Sequence, residues 1–254
     1  MNLIIEPVGA VLQIRFNRPD KKHAITSQMY ADMAVALQAA DQNPAIRAVY
    51  FQGQQNFFTA GNDLEDFLRS PPQSSDAPIV QFLFALSQFG KPMVASVQGP
   101  AVGIGTTLLL HCDLVYAADN ARFSMPFTSL GLCPEAASSL LLPLVAGYQR
   151  AAEKLLLGEW FDVFEAQQMG LINKVLPVEE VDGYAQKQLA KLVALPPAAI
   201  RATRQLLRHT HADAVQQRLR EEVEMFGKLL QAPEAREAFN AFFEKRKPDF
   251  SKFS

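Results

Sequence analysis

Two glycine-containing segments of this 254-residue sequence have the residue types to stabilise negative charge. Residues 99–113 read GPAVGIGTTLLLHCD, a glycine turn whose following apolar run predicts a long helix. Gly103 and Gly105 have no Cβ, so a ligand can approach their backbone N–H groups, and the helix adds the positive end of its dipole. Residues 58–64 read FTAGNDL and offer a second such turn after a β-like run. Two turns of this kind can form an oxyanion hole.

Each glycine turn also has a simpler interpretation. Glycine before a helix is common wherever a strand and a helix pack closely, without any ligand. On the residues alone, both interpretations stay open for either turn.

Glu135 is the candidate acid or base. It lies in LGLCPEAA, residues 130–137, among almost wholly apolar neighbours. Loss of hydration raises the pKa of a carboxyl group in such surroundings, which suits a group that accepts a proton and returns it. The alternative is a residue in the first turn of a helix, placed after Pro134 and interacting with the helix dipole.

Composition limits the classes of partner. The chain has 49% hydrophobic and 20% charged residues, a formal net charge of −2 and a pI of about 6.1. This length and hydrophobic content predict one large domain, or a core domain with an appendage. Because there is no overall positive charge, we expect neither nucleic acid nor an anionic membrane as a partner.

The cysteines and the chain termini bear on location. Cys112 and Cys133 are far apart in sequence and predict neither a disulfide framework nor a zinc motif, which fits a reducing compartment. The start of the chain lacks the pattern of a signal peptide, and no apolar run reaches the roughly 18 residues of a membrane span. The last residues, KFS, are not a peroxisomal Ser-Lys-Leu signal. We expect a soluble cytoplasmic protein.

The histidines and the remaining motifs indicate no metal or redox cofactor. His209 and His211 are two residues apart on a predicted helix and so face different directions, and His111 lies in the apolar run after Gly105 and reads as a core residue. Glycines 99, 103 and 105 do not have dinucleotide-binding spacing, and there is no nucleophile elbow or phosphate-binding loop.

The predicted elements alternate between strands and helices. Residues 2–6 and 11–16 are predicted strands around a turn, and Thr26 is a predicted cap for a helix that follows. Short apolar runs at 48–52, 93–98 and 114–117 predict further strands. Strands that alternate with helices imply a parallel sheet in an α/β fold.

The last third of the chain has a different pattern. Helix-period apolar positions predict helices over residues 179–195, 198–210, 214–230 and 233–245. Earlier in the chain, residues 70–76, SPPQSSD, predict a surface loop.

Several segments follow one another in the order seen in one known family. They are IRFNRPDKKHA (14–24), AGND (60–63), GPAVGIG (99–105), Gly158 and residues 166–171, followed by a helical tail. In these segments the chain resembles the crotonase superfamily, that is, the enoyl-CoA hydratase/isomerase family, over nearly its whole length. AGND, SMPF (124–127) and CPE (133–135) are most similar to the monofunctional 3,2-trans-enoyl-CoA isomerases of the peroxisomal type.

The resemblance implies a fold and an assembly. The expected fold is a spiral core of ββα repeats over residues 1–195, which holds the acyl-CoA site, with a C-terminal helical region over residues 196–254. In the family such helices build trimers, so we expect a homotrimer, or a hexamer made of two trimers.

It also implies a catalytic set. The oxyanion donors are the backbone N–H groups of Asn62 and Ile104, and Glu135 is at the position of the catalytic glutamate of the isomerases. The hydratases use two other glutamates, and the matching positions here are Thr107 and Phe127. Efficient hydration is therefore disfavoured.

The same match predicts where coenzyme A binds. The expected contacts are Ala60, Gly61, Asp63 and Leu64 in the first turn, with Gly103, Phe127, Arg18 and Lys21. Segment 243–247, FEKRK, resembles one that reaches the nucleotide. Asp63 also reads as an acid at a helix start, and lysines on turns are usually solvated.

The implied activity moves the double bond of a 3-enoyl-CoA to give trans-2-enoyl-CoA. Coenzyme A is then part of the substrate, and no separate cofactor is expected. Two alternatives remain open: another thioester reaction such as hydration, dehalogenation or hydrolysis, and an acyl-CoA-binding member without turnover. Loop 70–76 is a candidate for tuning acyl chain length.

Overall fold

The computed structural model describes residues 2–54, 56–69 and 76–253. Its strands form two sheets. The strands are β1 (Leu3–Val8), β2 (Val11–Phe16), β3 (Ala48–Gln52), β4 (Met93–Val97), β5 (Pro100–Val102), β6 (Leu114–Ala118), β7 (Arg122–Ser124), β8 (Phe161–Asp162) and β9 (Lys174–Leu176). One sheet has the order β1-β2-β3-β4-β6-β9, and the other has the order β5-β7-β8.

Helices connect and cover these strands. They are α1 (Ser27–Gln42), α2 (Leu64–Arg69), α3 (Pro78–Gln88), α4 (Ile104–Thr107), α5 (Ser138–Ala146), α6 (Tyr148–Leu157), α7 (Val163–Gln168), α8 (Val178–Ala194), α9 (Pro197–His209), α10 (Ala212–Leu230) and α11 (Pro233–Phe243). Short 3₁₀ helices occur at Pro19–Lys21, Leu108–His111, Thr128–Leu130 and Phe250–Lys252. Within the described ranges, no helix has the length and apolar character to cross a membrane.

The larger sheet is parallel except at one edge. β1 and β2 pair antiparallel, whereas β2, β3, β4, β6 and β9 pair parallel in that order. Every residue of β3 and β4 is buried, which is expected of parallel strands covered on both faces. Val49 and Phe51 face the larger apolar cluster with α1 and α3, while Ala48 and Tyr50 face a second cluster with α8. The predicted α/β class is confirmed.

The predicted helix start at Thr26 and the C-terminal helices are also confirmed. The Thr26 hydroxyl accepts a hydrogen bond from the backbone N–H of Met29 at 3.3 Å, which satisfies one of the free donors at the start of α1. α8 to α11 fall within a few residues of their predicted bounds. α10 packs against α3 and α5, and Leu219 and Phe226 belong to the larger cluster. All-helical structure begins after β9, with α8, and α10 takes part in the core, so the division at residue 195 stays a prediction.

The prediction of a long helix after the second glycine turn was wrong. One α-helical turn, α4, is followed by the 3₁₀ helix Leu108–His111. The reason is the sheet: Leu114 must pair with Val94 on the neighbouring strand, so few residues separate the glycine turn from β6. Apolar content fitted a buried segment, but it did not indicate where the segment must end. Loop residues 70–75 lie outside the described residues.

Candidate active site

The two glycine turns lie side by side. Thr59 and Ala101 form an isolated parallel bridge, and the backbone N–H of Val102 donates to the carbonyl of Thr59 at 3.0 Å. Gly61 has a φ of +83°, and a Cβ there would come within 2.8 Å of the Val102 carbonyl oxygen. Glycine is therefore required at position 61 both by its backbone conformation and by the close approach of the second turn.

Each turn presents an unused backbone donor at the position that the family resemblance indicates. The amides on either side of Asn62 are bonded, Gly61 to the Thr59 hydroxyl at 3.1 Å and Asp63 to the Ile25 carbonyl at 2.9 Å. Ile104 is the first residue of α4, where backbone N–H groups have no acceptor within the helix. Among the described residues, neither Asn62 nor Ile104 has an acceptor for its N–H. They are the two donors that the family resemblance implies for the oxyanion, and that role stays a prediction.

Glu135 lies beside an apolar cavity between α3 and α10. Its side chain is 5% exposed, and it precedes α5, which begins at Ser138, so it is not a first-turn helix residue. The described residues that line the cavity are Ile79, Val80, Leu83, Glu135, Ala136, Glu222, Val223 and Phe226. Neither oxyanion donor is among them. The cavity is small, about 20 Å³, and its lining is apolar apart from the two glutamates.

The carboxyl group of Glu135 is uncommitted. Its Oε1 atom is buried without a hydrogen-bond partner in the described structure. Burial, and to a smaller extent the neighbouring carboxylate of Glu222, raise its pKa from the usual 4.5 to about 8. A carboxyl group of this kind holds a proton near neutral pH, and its ionised form is a stronger base than an exposed glutamate.

Two alanines in an unusual conformation follow the base. Ala136 and Ala137 have φ values of 61° and 55°, in the left-handed region that costs a residue with a Cβ roughly 1–2 kcal/mol. His111 Nε2 donates to the Ala136 carbonyl at 2.7 Å, and the Ala137 N–H donates to Glu222 at 2.6 Å. The local turn is therefore held by bonds from two distant elements, as strained backbone at functional sites generally is.

The sequence interpretation did not identify Glu222, although a signal was present. Along α10 the buried positions are Val215, Leu219, Glu222 and Phe226, which recur at helical spacing. A glutamate in the apolar stripe of an amphipathic helix is unexpected unless it is paired or bonded. That irregularity could have marked Glu222 as a residue with a specific role.

Tyr30 bonds the first glycine turn and is close enough to Glu135 to be influenced by its charge. It is 2% exposed, and its hydroxyl donates a hydrogen bond to Oδ1 of Asn62. Burial raises the pKa of Tyr30, and the charge of Glu135 raises it further, so the phenol is near the base as well. No sequence pattern indicates a role for this residue, because tyrosine in a buried helical stripe is typical of ordinary core packing.

The two positions at which hydratases of the family have glutamates are Thr107 and Phe127 here, so neither has a carboxylate. Thr107 is fully buried in α4, and Phe127 is 5% exposed. The Thr107 hydroxyl has no partner in the described structure. Neither side chain can deprotonate a water molecule at neutral pH.

The predicted coenzyme A contacts gather around the first turn. Arg18 forms an ion pair with Asp63 at 2.9 Å and also donates to the Ala24 carbonyl, while Lys21 is exposed nearby. Burial alone would raise the pKa of Asp63, but hydrogen bonds from the Asp66 N–H and from Arg18 leave it lowered. Asp63 thus acts as a helix-start acid, and ligand contacts at Arg18 and Asp63 stay a prediction.

The other predicted contacts are in or beside the two turns. The Ala60 N–H donates to the Lys22 carbonyl at 3.0 Å, Leu64 begins α2, and Gly103, with φ of 56°, precedes α4. In segment 243–247, Arg246 is paired with Glu237 and Glu244.

Comparison with known proteins identifies the family. A sequence profile described as enoyl-CoA hydratase/isomerase matches residues 6–252. Enoyl-CoA delta isomerase 2 of Rattus norvegicus is 38% identical over 212 residues, covering 81% of this chain and 54% of that protein. The chain therefore spans about half the length of this relative.

Two further similarities extend over the whole chain. The 2,3-dehydroadipyl-CoA hydratase of Escherichia coli (strain K12) is 33% identical over 249 residues, 98% of each chain. The crystal structure of an enoyl-CoA hydratase/isomerase from Pseudoalteromonas atlantica T6c is 38% identical with a TM-score of 0.94, and the match covers 99% of this chain and 100% of that one. The sequence and fold comparisons agree with the resemblance seen in the two paired glycine turns. The chain belongs to the enoyl-CoA hydratase/isomerase family of the crotonase superfamily.

Proposed function

We propose that this protein converts 3-enoyl-CoA to trans-2-enoyl-CoA, with Glu135 as its single base. The observation that supports this most strongly is the carboxyl group itself, which is buried, unbonded at Oε1 and beside an apolar cavity. The absence of carboxylates at positions 107 and 127 favours isomerisation over hydration.

The first step removes a proton from C2 of the substrate. The Glu135 carboxylate takes this proton, and the electron pair of the C–H bond passes into the thioester to form an enolate. The N–H groups of Asn62 and Ile104 bind the enolate oxygen. Donors fixed in this way act where charge develops, and loss of one typically costs about 2.7 to 4 kcal/mol of barrier.

The second step returns the same proton to C4. The enolate electron pair forms the C2–C3 double bond while the former C3–C4 double bond accepts the proton from Glu135. The carboxylate is regenerated and no water is consumed. The apolar residues of α3 and α10 around Glu135 keep the proton from exchanging with solvent quickly.

For coenzyme A we propose the contacts around the first turn. Leu64 is the first residue of α2, where free N–H groups favour a polar or anionic ligand, and Ala60 and Gly61 lie in the turn just before it. Lys21, exposed beside the Arg18–Asp63 pair, is placed to meet a phosphate group. Neutralising Lys21 should raise KM, with a smaller effect at high salt.

For assembly we propose a homotrimer, or two such trimers in a hexamer. Leu206 and Leu207 of α9 are 76% and 77% exposed in the single chain, and large apolar side chains in adjacent positions favour burial against another subunit. Light scattering on the purified protein should give the mass of three or six chains. A monomer at micromolar concentration would contradict this assembly.

A product assay tests the proposed reaction. The protein is incubated separately with 3-enoyl-CoA and with trans-2-enoyl-CoA, and the thioesters are separated by chromatography. We expect 2-enoyl-CoA from the first substrate. Formation of 3-hydroxyacyl-CoA or free coenzyme A as the faster reaction would favour hydration or hydrolysis, and acyl-CoA binding with no product from either substrate would indicate a non-catalytic member.

A further inference from the structure

Glu222 reaches from α10 to the start of α5 and uses both of its carboxylate oxygens there. It is 6% exposed. Oε2 accepts from the backbone N–H of Ala137 at 2.6 Å, and Oε1 accepts from the N–H and the hydroxyl of Ser139 at 3.0 and 2.5 Å. Arg218, on the same helix, donates to the Ser139 hydroxyl at 3.0 Å. Glu222 is thus fully bonded.

The donors that Glu222 binds belong to a helix that cannot cap itself. Ala137 is the N-cap residue of α5, and its side chain has no acceptor for the free N–H groups of the first turn. Glu222 supplies that acceptor from another helix. Its bond to Ala137 also fixes the second of the two left-handed residues that directly follow Glu135.

We propose that Glu222 is a positioning residue for Glu135, holding the backbone turn that directs the base and placing a fixed negative charge beside the cavity that the base faces. This inference rests on the proposed function of Glu135, and it assigns a role to a residue 85 positions away from the turn it binds.

The contacts of this pair favour the ionised form of Glu222 over that of Glu135. Its carboxylate accepts three hydrogen bonds and is near Arg218, whereas Oε1 of Glu135 has no partner in the described structure. Hydrogen bonds to a carboxylate stabilise its ionised form. Burial raises the pKa of both groups, but only at Glu222 do hydrogen bonds and Arg218 oppose that rise, so the proton is held more favourably by Glu135.

The other titratable groups near the base are neutral. Tyr30 on α1 and Cys133 on the preceding segment have pKa values raised by burial, the latter to about 11. His111, which bonds the Ala136 carbonyl, has its pKa lowered to about 4 by burial and by Arg208 and Arg204. Glu222 is therefore the group whose charge most directly sets the proton affinity of Glu135.

Two substitutions separate the charge from the bonds. Glu222→Gln removes the charge and sets an amide NH₂ against a backbone donor. Glu222→Asp keeps the charge on a side chain one methylene shorter, which cannot reach Ala137 and Ser139 together. Glu221→Gln is the matched control, because Glu221 is the preceding residue, is exposed and bonds only Arg218 and Gln217 in the described structure.

The pH profile of kcat/KM for 3-enoyl-CoA is the first measurement. Glu222→Gln should move the acid limb to lower pH by roughly one unit, because a like charge has been removed. Its plateau kcat should fall by about tenfold or more, because the base is no longer held in place. Glu222→Asp should lower kcat and leave the acid limb at the parental pH. Glu221→Gln should change neither kcat nor the acid limb. An unmoved acid limb together with an unchanged kcat in Glu222→Gln would overturn the proposal.

An infrared titration of the protein without substrate is the second measurement, and it does not require turnover. The protonated carboxyl band assigned to Glu135, absent in Glu135→Gln, should titrate near pH 8 in the parent and at lower pH in Glu222→Gln. A shifted band in a protein with no isomerase activity would reject the proposed function and leave the charge effect standing. Activity with an unshifted band would reject the role of Glu222. If Glu222→Gln does not fold, Glu222→Asp is the test. A lowered kcat with the acid limb at the parental pH would support the proposal, and a parental kcat would contradict it.

Discussion

The hydroxyl of Tyr30 donates a hydrogen bond to the side-chain carbonyl of Asn62, the residue whose backbone N–H is one of the two proposed oxyanion donors. Tyr30 is buried on α1, and its ring packs against Phe82 with centroids 5.4 Å apart. The bond therefore ties the first glycine turn to a fixed helix. An oxyanion hole depends on donors that do not have to reorganise as charge develops, so this tie should matter for turnover.

Tyr30→Phe should lower kcat by about tenfold with little change in KM, because Asn62 loses its anchor while the ring and its packing stay. Tyr50→Phe is the matched control. Tyr50 is also fully buried, and its hydroxyl bonds Ser96 at 2.6 Å, on the side of the sheet that packs against α8. Steady-state kinetics and thermal melting of both variants distinguish the cases. Equal losses of kcat in the two variants would mean that Tyr30 acts only through stability.

Gly61→Ala should lower kcat by at least a hundredfold. The added Cβ would come within 2.8 Å of the Val102 carbonyl oxygen, which forces the two glycine turns and their N–H donors apart. Gly9→Ala is its control, because Gly9 also has a positive φ, of 59°, and has open space around it in the β1–β2 turn. That variant should lose about 1 kcal/mol of stability and keep its kinetics. A Gly61→Ala protein with parental kcat would argue against the paired turns as the oxyanion site.

The rate should rise with pH. Glu135 must be ionised to take the C2 proton, and its pKa is raised to about 8 by burial and by Glu222. kcat/KM should therefore increase between about pH 6 and about pH 9, with a midpoint that belongs to the free enzyme. Initial rates with one 3-enoyl-CoA across this range provide the test. A profile flat over the whole range would show that no group with this pKa acts as the base.

Stability should respond to pH in the opposite sense. The pKa of Glu135 is about 8 in the folded protein against an ordinary 4.5, so between these values the folded state binds more protons than the unfolded state. The free energy of unfolding then falls as pH rises, with this group contributing on the order of 2 to 4 kcal/mol. Urea unfolding of Glu135→Gln and the parent, at equal concentration, should differ more at about pH 9 than at about pH 5. The same difference at both pH values would contradict the burial of an ionisable Glu135.

Short-range sequence patterns predicted the two glycine turns and a glutamate among apolar neighbours, whereas the roles of Asn62, Ile104 and Glu135 rest on the family resemblance and stay predictions. The glycine turns and Glu135 each lie in a contiguous motif, and their chemistry depends on backbone conformation or on immediate apolar neighbours. The buried strands β3 and β4 were likewise visible as apolar runs, because parallel strands covered on both faces have little alternation.

Long-range packing supplied the rest, and sequence patterns do not encode it locally. Glu222 meets Ala137 because α10 packs across α5, and Tyr30 meets Asn62 because α1 lies beside the first turn. The length of α4 was misjudged for a related reason, since the pairing of β6 with β4 determines where the helix ends. Each of these depends on which elements become neighbours.

The central claim is that Glu135 removes a proton from C2 of a thioester held by Asn62 and Ile104. Its most direct test is solvent-deuterium incorporation into a defined 3-enoyl-CoA, measured by mass spectrometry for the parent and for Glu135→Gln. We expect the parent to form trans-2-enoyl-CoA, with deuterium entering C2 or C4 only in those turnovers in which the Glu135 carboxyl exchanges with solvent before it returns its proton. The variant should bind acyl-CoA with similar affinity but lose both isomerisation and incorporation by several orders of magnitude. A Glu135→Gln protein that isomerises and exchanges at close to the parental rate would contradict the account.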